Sequence, residues 1–381
     1  MKCLQLILCT VAILPSQFLA RAAESAKPNF IFLLADDLGY ADLGCFGANS
    51  IRTPRLDQLA REGMKLTSFY AQAVCGPSRG ALMTGRYPNR IGGGWTTLAE
   101  EVTVAEVLKQ AGYATGCVGK WDISGRRYVE GQVPNDQGFD YYFGPLGAND
   151  RGQVQLMRNR ETLRDTDDMG SLTKLYTDEA IAFLEQKKDV PFFLYLAHTM
   201  VHVKLGASPQ FLGKSKAGLF GDAVEELDWN IGRVVDCVKK LGLEKQTIVI
   251  FASDNGPWLV KKEMGGSAYP LRNGKGSAWE GGFREPCIVW GPGHIPVGTV
   301  SGELACTLDI LPTFAALARA QLPTGRVLDG RDQSALLTGK TARSARDTFF
   351  YHVQGNLHAV RQGQWKLAFT KISILISLMP W

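Results

Sequence analysis

The residues best suited to do chemistry begin at Cys75-Gly-Pro-Ser-Arg79, which Thr84-Gly85-Arg86 closely follows. Pro77 just after Cys75 suits a first helical turn, leaving Cys75 at a helix N-terminus where unpaired N–H groups favour an anion. An ordinary buried cysteine ahead of a helix would read the same way, so composition alone does not make this thiol reactive. Asp36, Asp37 and Asp254 with the Asn255 amide form an all-oxygen set, suited to Ca2+ or Mg2+ and not to zinc. A single Asp-Asp pair is usually a cap or a solvated turn, but here both pairs, Asp36-Asp37 and Asp254-Asn255, follow apolar strands. Taken singly, Lys120 and Lys275 read as solvated charges and His198 and His202 as structural histidines.

The elements that must position these residues are legible. Asn29 to Ala35 (NFIFLLA) is a nearly continuous apolar run, the pattern of a buried parallel strand. Strands are expected at Tyr113–Val118, Phe192–Ala197 and Thr247–Ala252 as well, and a β-rich stretch from Lys65 to Val74 leads into Cys75. Thr53 as N-cap with Pro54 at N1 predicts a helix that buries Leu56, Leu59 and Ala60 and stops at Gly63. Thr103-Val-Ala-Glu106 is a capping box opening a second helix that Gly112 closes, and Ala223 to Leu241 has helical periodicity. Strands alternating with helices predict an α/β fold with a mostly parallel central sheet flanked by helices. Ligands in such sheets bind beyond the carboxyl ends of the strands. Asp36-Asp37, Lys120, the His198/His202 segment and Asp254-Asn255 each follow a strand, so distant segments converge on one site.

With these motifs assembled, the chain resembles the type I, formylglycine-dependent sulfatases of the alkaline phosphatase superfamily. Their C-x-P-S-R element with T-G-R beyond it is matched by CGPSRGALMTGR, Cys75 to Arg86. The resemblance continues in ADDLGYADLGCFG (Ala35–Gly47), TPRLDQLAREG (Thr53–Gly63), GKW (Gly119–Trp121), SDNGP (Ser253–Pro257) and GKGSAWEGGFREP (Gly274–Pro286), and covers about Pro28 to Lys366. It implies that a formylglycine-generating enzyme oxidises Cys75 to formylglycine. The hydrate of that aldehyde would attack the sulfur of a sulfated small molecule or carbohydrate, and loss of the bound sulfate would restore the aldehyde. It also places Asp36, Asp37, Asp254 and Asn255, with residue 75 itself, around the metal. Arg79 and Lys120 hold the aldehyde hydrate, Lys275 and Lys120 contact the sulfate, and His202, with His198 in reserve, protonates the leaving alcohol. A sulfate in transfer needs such fixed donors.

Three departures stand out. The family's G-K-W-H is Gly119-Lys120-Trp121-Asp122 here, so the base that releases sulfate is Asp122 or is missing, and Lys204 stands where the family has a proline after His202. The ending KISILISLMPW, Lys371 to Trp381, reads as a truncated or altered C-terminus. The expected organisation is a signal peptide at 1–23, a catalytic domain at 28–312 with an alkaline phosphatase-like sheet, and a small, partial α+β subdomain at 313–381. Rival readings are a phosphonate or phosphodiester hydrolase of the same superfamily and a degenerate protein that binds sulfate esters without turnover.

Gross features agree with an exported enzyme. The 381 residues are 45% hydrophobic and 21% charged, enough to bury a large α/β core. The net charge of +5 is spread along the chain, so nucleic acid binding is not implied. Lys2, the apolar run Leu4 to Pro15 and small residues near Ala20 and Ala23 form a secretory leader, shorter than the roughly 20 residues of a membrane span. Beyond the leader, Cys45, Cys75, Cys117, Cys237, Cys287 and Cys306 lack CxxC spacing, which argues against a zinc ribbon.

Overall fold

The structure, a computed structural model, describes residues 27–96 and 99–369; the expected leader and the apolar tail lie outside the described residues. One sheet contains β1 (Asn29–Ala35), β2 (Met64–Tyr70), β3 (Ala114–Gly119), β4 (Tyr141–Gly144), β5 (Val154–Arg158), β6 (Glu161–Thr166), β7 (Phe192–Ala197), β8 (Thr247–Ser253), β9 (Arg284–Trp290), β10 (Thr299–Ser301) and β11 (Ala305–Cys306). Their order in space is β10-β2-β9-β8-β1-β7-β3-β4-β5-β6, with β11 also on β2. Neighbours from β8 through β1, β7 and β3 to β4 run parallel. Antiparallel pairs flank them on both sides.

The helices are α1 (Pro54–Glu62), α2 (Cys75–Thr84), α3 (Val104–Gln110), α4 (Leu172–Lys187), α5 (Gly218–Lys240), α6 (Glu280–Phe283), α7 (Ile310–Ala318) and α8 (Ser334–Leu337). The central strand β1 is apolar from Phe30 to Ala35 because both of its faces are covered. Ile31, Leu33 and Ala35 join a core with the buried faces of α1, α4 and α5. Phe30, Phe32 and Leu34 join a second core with α2, α3 and α7, in which Phe30 stacks on Phe314 at 4.2 Å between ring centroids.

Helix starts follow local sequence in one case and tertiary context in another. Thr103 Oγ1 accepts from Glu106 N–H at 3.2 Å and the Glu106 carboxylate accepts from Thr103 N–H at 2.8 Å, the expected capping box of α3. Thr53 does sit at the N-cap of α1, but its hydroxyl makes no cap bond. It accepts from Gly44 N–H instead, and Asp228 of α5 accepts the first-turn N–H groups of Arg55 and Leu56 at 3.1 and 2.7 Å. A carboxylate arriving from another helix does the capping, which periodicity within α1 cannot reveal.

A small antiparallel sheet, β12 (Thr348–Val353), β13 (Asn356–Gln362) and β14 (Trp365–Ala368), follows. Its Phe349, Tyr351, Val353 and Ala359 pack on Tyr70, Tyr87 and Phe283. Glu280 fastens it, accepting hydrogen bonds from Tyr70 at 2.6 Å, Tyr351 at 2.7 Å and Lys366 at 2.9 Å. Edge strand β14 leaves Trp365 and Leu367 exposed, the kind of apolar edge that invites association. Among the described residues no helix is long and apolar enough to cross a membrane, and all six cysteines are free thiols.

Candidate active site

The carboxyl ends of four adjacent parallel strands deliver the site. β1 ends at Asp36-Asp37, β3 leads into Lys120 and Asp122, β7 into the loop carrying His202, and β8 into Asp254-Asn255. Cys75 enters from the side as the first residue of α2, and Lys275 from the loop ahead of α6. Gly119 permits this convergence: at φ +97° any Cβ would lie 1.9 Å from the Ala197 carbonyl oxygen, so only glycine lets β3 turn toward the site here. Asp37 and Asp122 both hold φ of 62°, a left-handed conformation. Such a residue costs about 1–3 kcal/mol and persists where surrounding structure fixes it.

Every sequence-predicted site residue except His198 lies in this one cluster. Cys75 Sγ is 3.3 Å from Asp36 Oδ1 and 3.3 Å from Lys275 Nζ. Lys275 Nζ also donates to Asp37 Oδ1 at 2.6 Å, as Asn255 Nδ2 does at 2.7 Å. Lys120 Nζ lies 2.6 Å from Asp36 Oδ2 and 3.2 Å from Asp122 Oδ2. Arg79 grips Asp254 Oδ2 through Nη2 at 2.7 Å and Nε at 3.1 Å, and its Nη1 donates to the Lys120 carbonyl at 2.9 Å. His202 Nε2 faces Asp37 Oδ2 at 3.6 Å and Asp150 Oδ1 at 3.4 Å, with the Trp258 ring beside it. His198, by contrast, is buried against Tyr176, and neither of its ring nitrogens has a hydrogen-bond partner.

Burial and charge set the protonation states. Burial would raise the Asp36 carboxyl, but Lys120, His202, Arg79 and Lys275 outweigh it and hold it well below the usual carboxylate range. Burial and neighbouring Asp36 push Asp254 up to about 7 despite Arg79. Burial would likewise raise Asp122, and Lys120 and Arg126 overcome it, keeping it ionised. Burial, Asp254 and Asp36 push the Cys75 thiol well up, so the unmodified side chain is not a thiolate nucleophile. Burial also lowers His202 and takes His198 down to about 3.

The donor set fits a hard divalent cation. Asp37 Oδ2 and Asn255 Oδ1 are buried and accept no hydrogen bond, a costly state that an ion would relieve. Asp36, Asp37, Cys75 and His202 each offer a ligand atom, all within 4.8 Å of one another. Asp254 adjoins them, its Oδ1 accepting from Asp37 N–H at 3.2 Å.

Sequence reasoning missed several neighbours. Arg126 donates from Nε to Asp122 Oδ1 at 2.7 Å and from Nη1 to Asp150 Oδ2 at 2.7 Å. Tyr195 meets Arg79 from within β7 at 3.3 Å, and Trp95 lies over Gly76, where a Cβ would come within 2.6 Å of its ring. Loop residues such as Asp150 carry no periodicity. The Asp122/Arg126 spacing of four was visible but looks like any surface ion pair.

Known proteins share this architecture. A family model described as Sulfatase matches residues 28–320. Arylsulfatase A of Homo sapiens is 39% identical over 393 residues, 92% of this chain and 76% of that protein. The sulfatase PsFucS1 from Pseudoalteromonas sp. superposes with a TM-score of 0.83 at 31% identity, over 90% of this chain and 78% of that one. Ps i-CgsB, solved in complex with k-i-k-neocarrahexaose, gives a TM-score of 0.79 at 32% identity, over 90% and 83%. Matched across most of its length in sequence and in overall fold, the chain belongs to the sulfatase family, within the alkaline phosphatase superfamily.

Proposed function

We propose that this sulfatase hydrolyses sulfate esters of carbohydrates at residue 75, after Cys75 has been oxidised to formylglycine by a formylglycine-generating enzyme. One observation carries the reading: residue 75 heads a helix while Asp36 and Lys275 both lie 3.3 Å from its Sγ. A nucleophile placed there has a carboxylate on one side and an ammonium to meet a sulfate oxygen on the other. Formylglycine would supply a hydrated aldehyde as nucleophile, and Ca2+ or Mg2+ held by Asp36, Asp37, Asp254 and Asn255 would supply Lewis acidity.

The chain's own residues do the rest. Lys275 and Lys120 neutralise sulfate oxygens as charge shifts onto them. Arg79, clamped to Asp254 and to the Lys120 carbonyl, fixes the floor beneath residue 75. His202 faces the cluster across Asp37 and donates a proton to the departing alcohol oxygen. The complex of Ps i-CgsB, 32% identical to this chain, with k-i-k-neocarrahexaose supports a sulfated carbohydrate as substrate. A leader at 1–23 would export the protein, and the division into a catalytic part at 28–312 and a smaller part at 313–381 goes with this reading.

Peptide mass spectrometry over Ala71–Arg79 of protein produced alongside a formylglycine-generating enzyme, with turnover of 4-nitrophenyl sulfate and 4-nitrophenyl phosphate, tests it. The aldehyde mass and preferential sulfate hydrolysis are expected. Thiol alone would refute the nucleophile, faster phosphate hydrolysis would favour the phosphoester reading, and bound but uncleaved sulfate would indicate a binding protein.

A further inference from the structure

A fixed polar frame lies at the mouth of the site, unused by the chemistry at residue 75. Asp150, from the loop after β4, accepts from Arg126 Nη1 on Oδ2 at 2.7 Å. Its Oδ1 is buried without a hydrogen bond and lies 3.4 Å from His202 Nε2. Arg126 is held from behind by Asp122, with 33% of its side chain exposed, and its Nη2 hydrogen-bonds none of the described residues. Its guanidinium carbon stands 5.3 Å from the centroid of the Trp95 ring, the ring that lies over Gly76 beside residue 75.

The charge of this frame decides what it can read. Arg126 is paired with two carboxylates, so it offers N–H donors without a net positive field, a poor arrangement for a second anion. A donor beside an unsatisfied acceptor suits a hydroxyl, which accepts from Arg126 Nη2 and donates to Asp150 Oδ1. An aryl or steroid ring at that point satisfies neither group. Position narrows the choice further: Asp150 Oδ1 adjoins His202 Nε2, the nitrogen proposed to protonate the departing alcohol, and oxygens on adjacent sugar carbons lie about a hydrogen-bond length apart. We infer that Arg126 and Asp150, beside the Trp95 ring, bind the hydroxyl on the carbon next to the sulfated one, making the preferred substrate a sugar sulfated on a ring carbon. This deepens the sulfate ester reading above and rests on it. Asp122 then acts as a positioning residue, aiming Arg126.

The test uses matured full-length protein and the methyl glycosides of galactose, glucose and fucose carrying one sulfate at C2, C3 or C4, with the 6-sulfates of galactose and glucose and 4-nitrophenyl sulfate as references. A ring sulfate flanked by a free hydroxyl should be the best sugar substrate, and removing that hydroxyl should cost about 10²-fold or more in kcat/KM, since a site built around a substrate hydroxyl rejects its absence strongly. That comparison uses unmutated protein and is independent of any folding defect. Asp150→Asn and Arg126→Gln should lower kcat/KM for the ring sulfate at least tenfold more than for its deoxy counterpart; a general disturbance of His202 would lower both alike. A best sugar substrate among the 6-sulfates, indifference to deoxygenation, or equal losses on both sugars overturns the inference. Hydrolysis of 4-nitrophenyl sulfate alone overturns it while leaving the sulfatase reading intact; no hydrolysis of any sulfate overturns both.

Discussion

Asp122 accepts a 2.7 Å hydrogen bond from Arg126 Nε on one oxygen, while its other oxygen lies 3.2 Å from Lys120 Nζ. A carboxylate engaged on both sides by cations and fully buried is an anchor and a weak proton acceptor. The position for which the family resemblance implies a histidine is thereby turned to charge pairing. Around residue 75 the carboxylates of Asp36, Asp37, Asp122, Asp150 and Asp254 face the cations of Arg79, Lys120, Arg126 and Lys275. A divalent ion would tip that balance positive, toward an anionic ester.

Asp122→Asn should therefore lower kcat/KM through misplacement of Lys120 and Arg126, by about 10–10²-fold. The acid limb of the pH profile should stay where it is, and intact-mass spectra should show no accumulated sulfate on residue 75. Stability should fall by about 1–3 kcal/mol, the usual cost of unmaking a buried charged hydrogen bond. A trapped sulfated residue 75 would instead make Asp122 the base. The linkage sign follows from a lowered folded pKa: Asp122 contributes stability above the unfolded carboxylate value of about 3.9, lost as pH falls below it.

Chelation should abolish turnover, Ca2+ or Mg2+ restoring it and Zn2+ not, since the set is rich in carboxylate oxygen. Asp254, raised to about 7 by burial and Asp36, must lose its proton to serve a cation. Ca2+ affinity measured by calorimetry should then climb by up to about tenfold per pH unit between pH 5 and 7, with proton release, and level off above. A flat affinity over that range would remove Asp254 from the ligand set.

Phe314→Ala should destabilise the protein by about 3–5 kcal/mol in urea melts. Phe314 is fully buried, stacks on Phe30 at 4.2 Å and meets Phe193 edge-on at 5.9 Å. A loss below 1 kcal/mol would mean α7 is not part of the main core.

How much of this was legible depended on whether the signal is local. β1 and β7 were readable because strands covered on both faces carry nearly continuous apolar runs, Phe30–Ala35 and Phe192–Ala197, and the capping box of α3 is a four-residue device. Cys75 at the head of α2 followed from Pro77. Asp228 capping α1, Arg126 reaching Asp150 and Tyr195 meeting Arg79 pair residues whose partners are set by tertiary packing, and no periodicity encodes them. The choice between His198 and His202 belongs to the same class: four residues apart after β7, they differ only in which way the loop turns.

That turn gives the two histidines opposite expectations. His202→Ala should lose far more rate on sugar sulfates, whose alcohols need protonation to leave, than on 4-nitrophenyl sulfate, whose phenolate leaves unaided. His198→Phe should leave that substrate ratio unchanged, because His198 lies against Tyr176 and neither ring nitrogen has a hydrogen-bond partner. Its signature is in stability. Burial lowers its folded pKa to about 3 from 6.5, so between those values the unfolded chain binds the extra proton and stability drops as pH falls. At roughly 1.4 kcal/mol per pH unit, going from pH 6.5 to pH 5 costs about 2 kcal/mol. His198→Phe should abolish that part of the acid sensitivity, so its stability relative to the parent should improve by about 2 kcal/mol between pH 8 and pH 5 in urea melts. A parallel loss in both proteins would show that His198 is protonated in the folded state and has a partner at low pH.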